Sequence, residues 1–505
     1  MAIQQGPHPA SRPEPGNGKD NTTSETFQLQ LSSGNGPVYR TVKRTPPRDA
    51  TPSEIPIIDI SNIFSPSLAD RKAVARQIHS AATNNGFFYI RNHGVPTAVT
   101  DAAHAACLAF FRQPQEIKNR ANASQSAYFN GYKPPRSQRI NPSESVDNRE
   151  TFSWTYDPRC DPAVSSSLEA LPPRVRAFLR IEPDTDEDED EDEGGCLSPE
   201  EEPLEGDEEA EDADGDDMHP HRRFPWSRTK TVPHFAPAVM TYWRSCLFLA
   251  RALVRSFALS LDLDETFFDA KVTHPDAALA LNYYPPLPPP TPPQSPGHTV
   301  QTSPSPSPSP SPSPSPSPPP QAAQQQEQEQ VSIGSHTDFQ LFTILHQDTV
   351  PGLQVLSREG QWLNAPPIPG TFVVNIADYL QRITNDLYVS TVHRAINTST
   401  NGAQGQCRQG RERVSMPFFF GFNMDESCAV LDRCVAASPG GVRRYDEVSC
   451  YEWVQRRVRA MHDTKGSAGA GAAAGDAIST NTTNTTTTTT TQKGGGNGGG
   501  QANDT

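Results

Sequence analysis

The chain has 505 residues, of which 34% are hydrophobic and 51 are proline. That composition excludes a packed core running through the whole length, so much of the chain must lie outside folded structure. The formal net charge of −16 is concentrated in one tract: residues 182 to 217 hold 22 Asp or Glu and no Lys or Arg, leaving 43 basic against 37 acidic side chains elsewhere. A mildly basic body without a dense basic stripe suits small anionic ligands and argues against nucleic acid. Eight cysteines with no paired C-x-x-C spacing do not read as a disulfide framework. No run approaches the roughly 20 apolar residues of a membrane span, and the polar N-terminus has no apolar signal core. A cytoplasmic monomer with a small-molecule substrate and no membrane partner is expected.

Residues 1–50 are rich in Pro, Gly, Ser and Asn and read as a disordered tail. An N-terminal subdomain follows over 51–181. In it Ile55 to Ile60 is a predicted strand, Asp70 to Asn85 a predicted helix with Val74, Ile78 and Ala81 on one face, and Gly86 to Ile90 a second strand. Thr151 to Tyr156 alternates aromatic with small polar residues. Phe152, Trp154 and Tyr156 then share a face, either packed as core, which is favoured, or lining a pocket mouth. An acidic disordered insert spans 182–222. Residues 223–285 carry a long apolar helix, Pro233 to Leu261, and a strand, Leu279 to Tyr284. A Pro/Ser/Gln-rich disordered insert covers 286–330, favouring extended polyproline-like conformers. Short β-rich runs then fill 331–465: Phe342 to Gln347, Leu353 to Leu356, Thr371 to Asn375, Thr391 to Ala395 and Val414 to Phe420, parted by turns such as Pro351-Gly352 and Pro369-Gly370. The Gly, Ala, Thr and Asn repeats of 466–505 make a second disordered tail. Many short strands around a small-molecule site suggest an α+β, mainly β fold built on a double-sheet jelly roll.

Ser335-His336-Thr337-Asp338 and, 57 positions after His336, the His393 of Thr391-Val392-His393-Arg394 supply two imidazoles and a carboxylate from strand-like segments. These are the ligands of a two-His-one-carboxylate facial triad, which leaves half of an octahedral Fe(II) open to a chelating co-substrate and dioxygen. Alternation places His336 and Asp338 on one strand face and Thr337 on the other. Twenty positions after His393, Arg413 and Ser415 would share a strand face, a guanidinium fork beside a hydroxyl suited to gripping a carboxylate.

With Ile57-Ile58-Asp59, Gly86-Phe87-Phe88-Tyr89-Ile90-Arg91-Asn92-His93-Gly94, Leu281-Asn282-Tyr283-Tyr284-Pro285 and Asp378-Tyr379-Leu380 in order around these motifs, residues 55 to 460 resemble the 2-oxoglutarate and Fe(II)-dependent dioxygenases, the superfamily that includes isopenicillin N synthase. The resemblance implies a double-stranded β-helix with an N-terminal helical and strand subdomain. It implies metal ligation by His336, Asp338 and His393, and 2-oxoglutarate binding by Arg413, Ser415, Tyr284 and Asn282, with Asn282 equally readable as a buried polar group. Fe(II), 2-oxoglutarate and O2 are the implied cofactors, with ascorbate stimulatory. The implied reaction is oxidation of a small organic molecule by hydroxylation or desaturation, in specialised metabolism. An oxidase of the isopenicillin N synthase type, which does not use 2-oxoglutarate, shares these motifs, and a non-catalytic scaffold is the remaining alternative. His93 is expected to be structural and His346 a core histidine. Low-complexity insertions before His336 and between Thr398 and Gln409 should loop out and leave the strands in place.

Overall fold

Period-two patterns of apolar residues form two main sheets in a computed structural model, which describes residues 25–126, 130–164, 224–286, 331–396 and 411–462. The acidic insert, nearly all of the Pro/Ser/Gln insert, the Thr398 to Gln409 insertion and the tail from 466 lie outside the described residues. Strands are numbered along the chain. The larger sheet has the order β4 (Ile57–Asp59), β5 (Phe87–Arg91), β13 (Thr371–Ile376), β10 (Phe342–Gln347), β15 (Arg413–Asn423), β8 (Pro275–Tyr284), β7 (Glu150–Trp154), β6 (Gly131–Lys133). The smaller has β3 (Arg48–Asp49), β12 (Trp362–Asn364), β11 (Leu353–Leu356), β14 (His393–Ile396), β9 (Val331–His336). Among these strands only β4 with β5 and β3 with β12 pair in parallel.

One face of the larger sheet is covered by the helix Phe235–Ser260. Its Val239, Tyr242, Trp243, Leu247, Leu249, Leu253 and Phe257 are all buried, each stabilising the fold by about 2 kcal/mol. Tyr242 Oη donates to the Met416 carbonyl at 3.0 Å and Trp243 Nε1 to that of Ala277 at 3.4 Å. Those contacts lock the helix onto β15 and β8. The helix Leu68–Asn84, started by the Ser67 hydroxyl accepting from Asp70 N–H at 3.4 Å, packs beside it. The opposite faces of the strands, every second residue, are left to line a cavity.

Two expectations are corrected. The N-terminal tail does not extend to residue 50: β1 (Thr26–Leu31) and β2 (Val38–Lys43) form an antiparallel hairpin. Its Leu29, Leu31 and Val42 bury against Leu356, Trp362 and Val392, enough apolar surface to order a segment whose average composition looks disordered. Asp338 does not share a strand with His336, because β9 ends at His336 and Asp338 sits in the turn toward β10. The helices Thr97–Phe111 and Cys450–His462 are additional to the predicted elements. By contrast, Phe152, Trp154 and Tyr156 all lie in the main core, and the alternating Thr151 and Ser153 face the cavity. The insertions themselves lie outside the described residues, but the strands on either side of them stay in place: Arg413 pairs with Tyr284 and Ser415 with Asn282 in unbroken register.

Candidate active site

Between the sheets lies a cavity of about 410 Å³, lined by residues of both. His336 and His393 are direct partners across β9 and β14, which brings their rings to 4.3 Å between centroids. Each Nδ1 faces a backbone carbonyl two residues back, His336 to Gly334 at 2.8 Å and His393 to Thr391 at 3.1 Å. Donation there fixes the tautomer and leaves both Nε2 lone pairs free. Burial, reinforced by His336, pushes the His393 imidazole down to about 4, so it is neutral at physiological pH.

Both Nε2 atoms converge on Asp338 Oδ1, at 3.6 Å from His336 and 3.7 Å from His393. The other carboxylate oxygen, Oδ2, is already committed to the Thr343 hydroxyl at 2.5 Å and the Asn375 amide at 2.7 Å. Burial opposes ionisation of Asp338, but a protonated imidazole at His393 or His336, together with the Asn375 amide, would hold the carboxyl well below the usual carboxylate range; with both rings neutral, a cation has to take that part. Three electron-pair donors thus face one another, with ligand atoms within 4.8 Å, an arrangement that a shared cation would satisfy. Two neutral imidazoles and one carboxylate are the donor set that fits Fe(II) with open positions.

Remote residues hold this turn in place, and the sequence offers no pattern for them. Arg457, fully buried on the helix Cys450–His462, donates to the Thr337 carbonyl and hydroxyl at 3.1 and 3.2 Å and pairs with Asp378 at 3.0 Å. On the outer edge of β9, Glu144 accepts from the backbone and hydroxyl of Ser335, Asp147 from Gly334 N–H at 3.2 Å, and Asn141 donates to the Ser335 carbonyl at 3.0 Å. These side chains take the place of a further strand along that edge.

At the other end of the cavity Arg413, 3% exposed, is clamped by Nε to the Val350 carbonyl at 3.1 Å and by Nη2 to Gln347 Oε1 at 3.2 Å, with Tyr284 stacked 4.7 Å below. Its Nη1 has no partner among the described residues. Ser415 and Tyr284 hydroxyls lie 3.0 Å apart beside it. A buried guanidinium with an unpaired nitrogen next to two hydroxyls fits a carboxylate. Gly352 is required here: a Cβ would lie 3.0 Å from Arg413 Nε and 2.7 Å from the Ile396 carbonyl. Asn282 Oδ1 is occupied by Arg149 Nη1 at 2.6 Å and Thr151 Oγ1 at 3.0 Å, so Asn282 has only its Nδ2 to offer. The structure therefore brings all seven expected residues to one cavity. His93, stacked on Phe372 at 4.2 Å, and His346, pushed down to about 4 by burial, do not line it.

Comparison with known proteins agrees. Residues 55–173 match the family model for the N-terminal region of the non-haem dioxygenase in morphine synthesis, and residues 275–422 that of the 2OG-Fe(II) oxygenase superfamily. The 2-oxoglutarate-Fe(II) type oxidoreductase ppzC of Metarhizium majus is 49% identical over 87% of this chain and 96% of its own. Among solved structures, a full-length Neurospora crassa protein in complex with alpha-KG and 5-formyluracil superposes with a TM-score of 0.52 at 20% identity, covering 83% of this chain and 100% of that one. A 2OG-Fe(II) oxygenase family protein from Caulobacter crescentus gives 0.53 at 24%, over 81% and 99%. Those two likenesses show the jelly-roll fold. Identity at 49% across nearly the whole relative carries more: the chain is an oxidoreductase and belongs to the 2-oxoglutarate and Fe(II)-dependent oxygenase superfamily.

Proposed function

We propose that His336, Asp338 and His393 hold Fe(II), that Arg413 with Ser415 and Tyr284 holds the distal carboxylate of 2-oxoglutarate, and that the enzyme hydroxylates or desaturates a small organic molecule. The observation that carries this reading is the convergence of two Nε2 lone pairs and Asp338 Oδ1 with no donor among them. An Fe(II) ion held by these three side chains would supply the dioxygen chemistry that links decarboxylation of 2-oxoglutarate to oxidation of a C–H bond. The chain's own part is positional. Gly334 and Thr391 carbonyls orient the imidazoles, and Thr343 and Asn375 occupy the second Asp338 oxygen so that the carboxylate offers one atom. Val350 and Gln347 aim the Arg413 fork, and Arg413 with Lys133 and Arg149 makes this end of the cavity cationic, as a dicarboxylate requires. Asn282 acts mainly by fixing Arg149.

All of these groups come from one chain, which supports action as a monomer. Six cysteines among the described residues are buried and unbridged, which supports a reducing compartment such as the cytoplasm. No helix among the described residues is long and apolar enough to cross a membrane. The test is succinate: purified enzyme with Fe(II), ascorbate, 2-oxoglutarate and candidate substrates should release one succinate per oxidised product. Product formed without 2-oxoglutarate would favour the isopenicillin N synthase type of oxidase instead.

A further inference from the structure

Asp276, eight positions before Tyr284 on β8, puts a second carboxyl into the same cavity. Alternate residues of a strand share a face, and the row Asp276, Ala278, Ala280, Asn282, Tyr284 lines the wall from one end to the other. Register sets the levels. Lys133 pairs with Thr151, Thr151 with Asn282, and Arg413 with Tyr284, so the cationic groups gather at the Asn282 and Tyr284 end. Thr343, which holds Asp338, pairs with Phe419, and Phe419 pairs with Ala278. At about 3.4 Å per residue, Asp276 lies roughly 7 Å beyond the metal-site level and about 20 Å from the level of Asn282, on the side away from Arg413.

No Lys or Arg among the described residues pairs with Asp276; its one described partner is the Gln340 amide, which donates to it. Gln340 is itself 9% exposed, packed over Gly421, and its Oε1 has no partner among the described residues. Asp276 is half-buried, facing the cavity; a carboxyl partly withdrawn from water without a cation is costly, and so is an unpaired amide oxygen. Burial accordingly pushes the Asp276 carboxyl up to about 7. Phe419, Val454 and Met461 supply apolar walls nearby. The cavity is thus polarised, with cations where a dianionic co-substrate would sit and acceptor oxygens beyond the metal site.

We propose that Asp276, seated beside Gln340, selects the substrate by pairing with a protonated nitrogen, so that this oxygenase acts on a compact amine or guanidine. The inference rests on the iron and 2-oxoglutarate reading above. The substrate then spans from Asp276 to the metal-site level, an offset of roughly 7 Å along the strand, with its protonated nitrogen at the Asp276 end and the oxidised C–H bond at the metal end.

The test uses the full chain with Fe(II) and 2-oxoglutarate under anaerobic conditions. The visible charge-transfer band of the Fe(II) and 2-oxoglutarate complex is recorded first; its absence would overturn the reading beneath this inference, and the inference with it. Benzylamine, piperidine and agmatine are then titrated by calorimetry against neutral counterparts, benzyl alcohol, cyclohexanol and 4-acetamidobutanol. At least one cation should bind 10-fold or more tightly than its counterpart, and Asp276→Asn, which keeps the shape, should erase that preference while retaining the band. Binding of no cation, or a preference undiminished in Asp276→Asn, overturns the proposal. Asp276→Glu serves as the conservative variant and should restore part of the preference; a Glu variant indistinguishable from Asn also counts against it.

Discussion

Arg413→Lys isolates the guanidinium fork from its charge. In the native site Nε and Nη2 are tied to the Val350 carbonyl and Gln347 Oε1, which leaves three hydrogens, two on Nη1 and one on Nη2, from which one on each nitrogen can make an end-on pair to a carboxylate. A lysine ammonium keeps one charge-assisted bond but loses the second and the backbone anchor. One such bond is worth about 1.5 to 3 kcal/mol, and 1.4 kcal/mol is tenfold, so the dissociation constant for 2-oxoglutarate should rise by roughly 10- to 150-fold. Titrating 2-oxoglutarate into the Fe(II) enzyme without oxygen, by its charge-transfer band, measures this directly. Fe(II) affinity should hold within about twofold, because Arg413 touches none of the three metal-facing atoms. Unchanged 2-oxoglutarate affinity would refute the reasoning and move the anion site toward Lys133 and Arg149, which line the same end of the cavity.

His336→Ala, Asp338→Ala and His393→Ala should each abolish turnover and Fe(II) binding in a metal titration, with the thermal transition retained. Asn375→Ala removes one of the two donors to Asp338 Oδ2, leaving Thr343, and should weaken Fe(II) binding by about 10-fold or more in the same titration. Arg457→Met leaves Asp378 buried without its partner and should lower unfolding free energy by about 3 kcal/mol in urea titration, the Fe(II) affinity falling with it. Lys133 is pushed from 10.5 down to about 8 by burial and by Arg149, so the folded state binds fewer protons than the unfolded chain between those values and stability rises with pH across that window. Lys133→Met should therefore be more stable than the native protein below pH 8, by about 3 kcal/mol at most, and the gain should shrink to nothing by pH 10.5.

What can be read from the sequence is local or periodic. His336, Asp338 and His393 announce themselves by residue type and spacing, and Arg413 and Ser415 by their alternation on one strand. The pairing of Ser415 with Asn282 and Arg413 with Tyr284 follows from two strands whose apolar patterns are both visible. The long helix is equally plain, because its buried positions recur at helical spacing over 26 residues. The hairpin strand Thr26–Leu31 is the counterexample: Leu29 and Leu31 keep a period of two, but the Pro- and Gly-rich residues before them dominate the average.

The groups that make the metal site a site are not legible, and the reason is physical. Thr343 and Asn375 reach Asp338 from two adjacent strands of the larger sheet, Arg457 reaches Thr337 from 120 positions away, and Glu144 reaches Ser335 from 191. No period or spacing links such residues, because each is chosen by the partner it meets after folding. Asp338 shows the consequence. Alternation alone assigns it to the strand of His336, whereas its carboxylate is aimed from a turn by two donors on β10 and β13, with the turn itself pinned by Arg457. Asp276 is the same case without a family motif to mark it: a single acidic residue ahead of the apolar run Ala277 to Leu281 gives no signal until the sheet register places it beyond the metal-site level, facing the cavity with no cation to meet among the described residues.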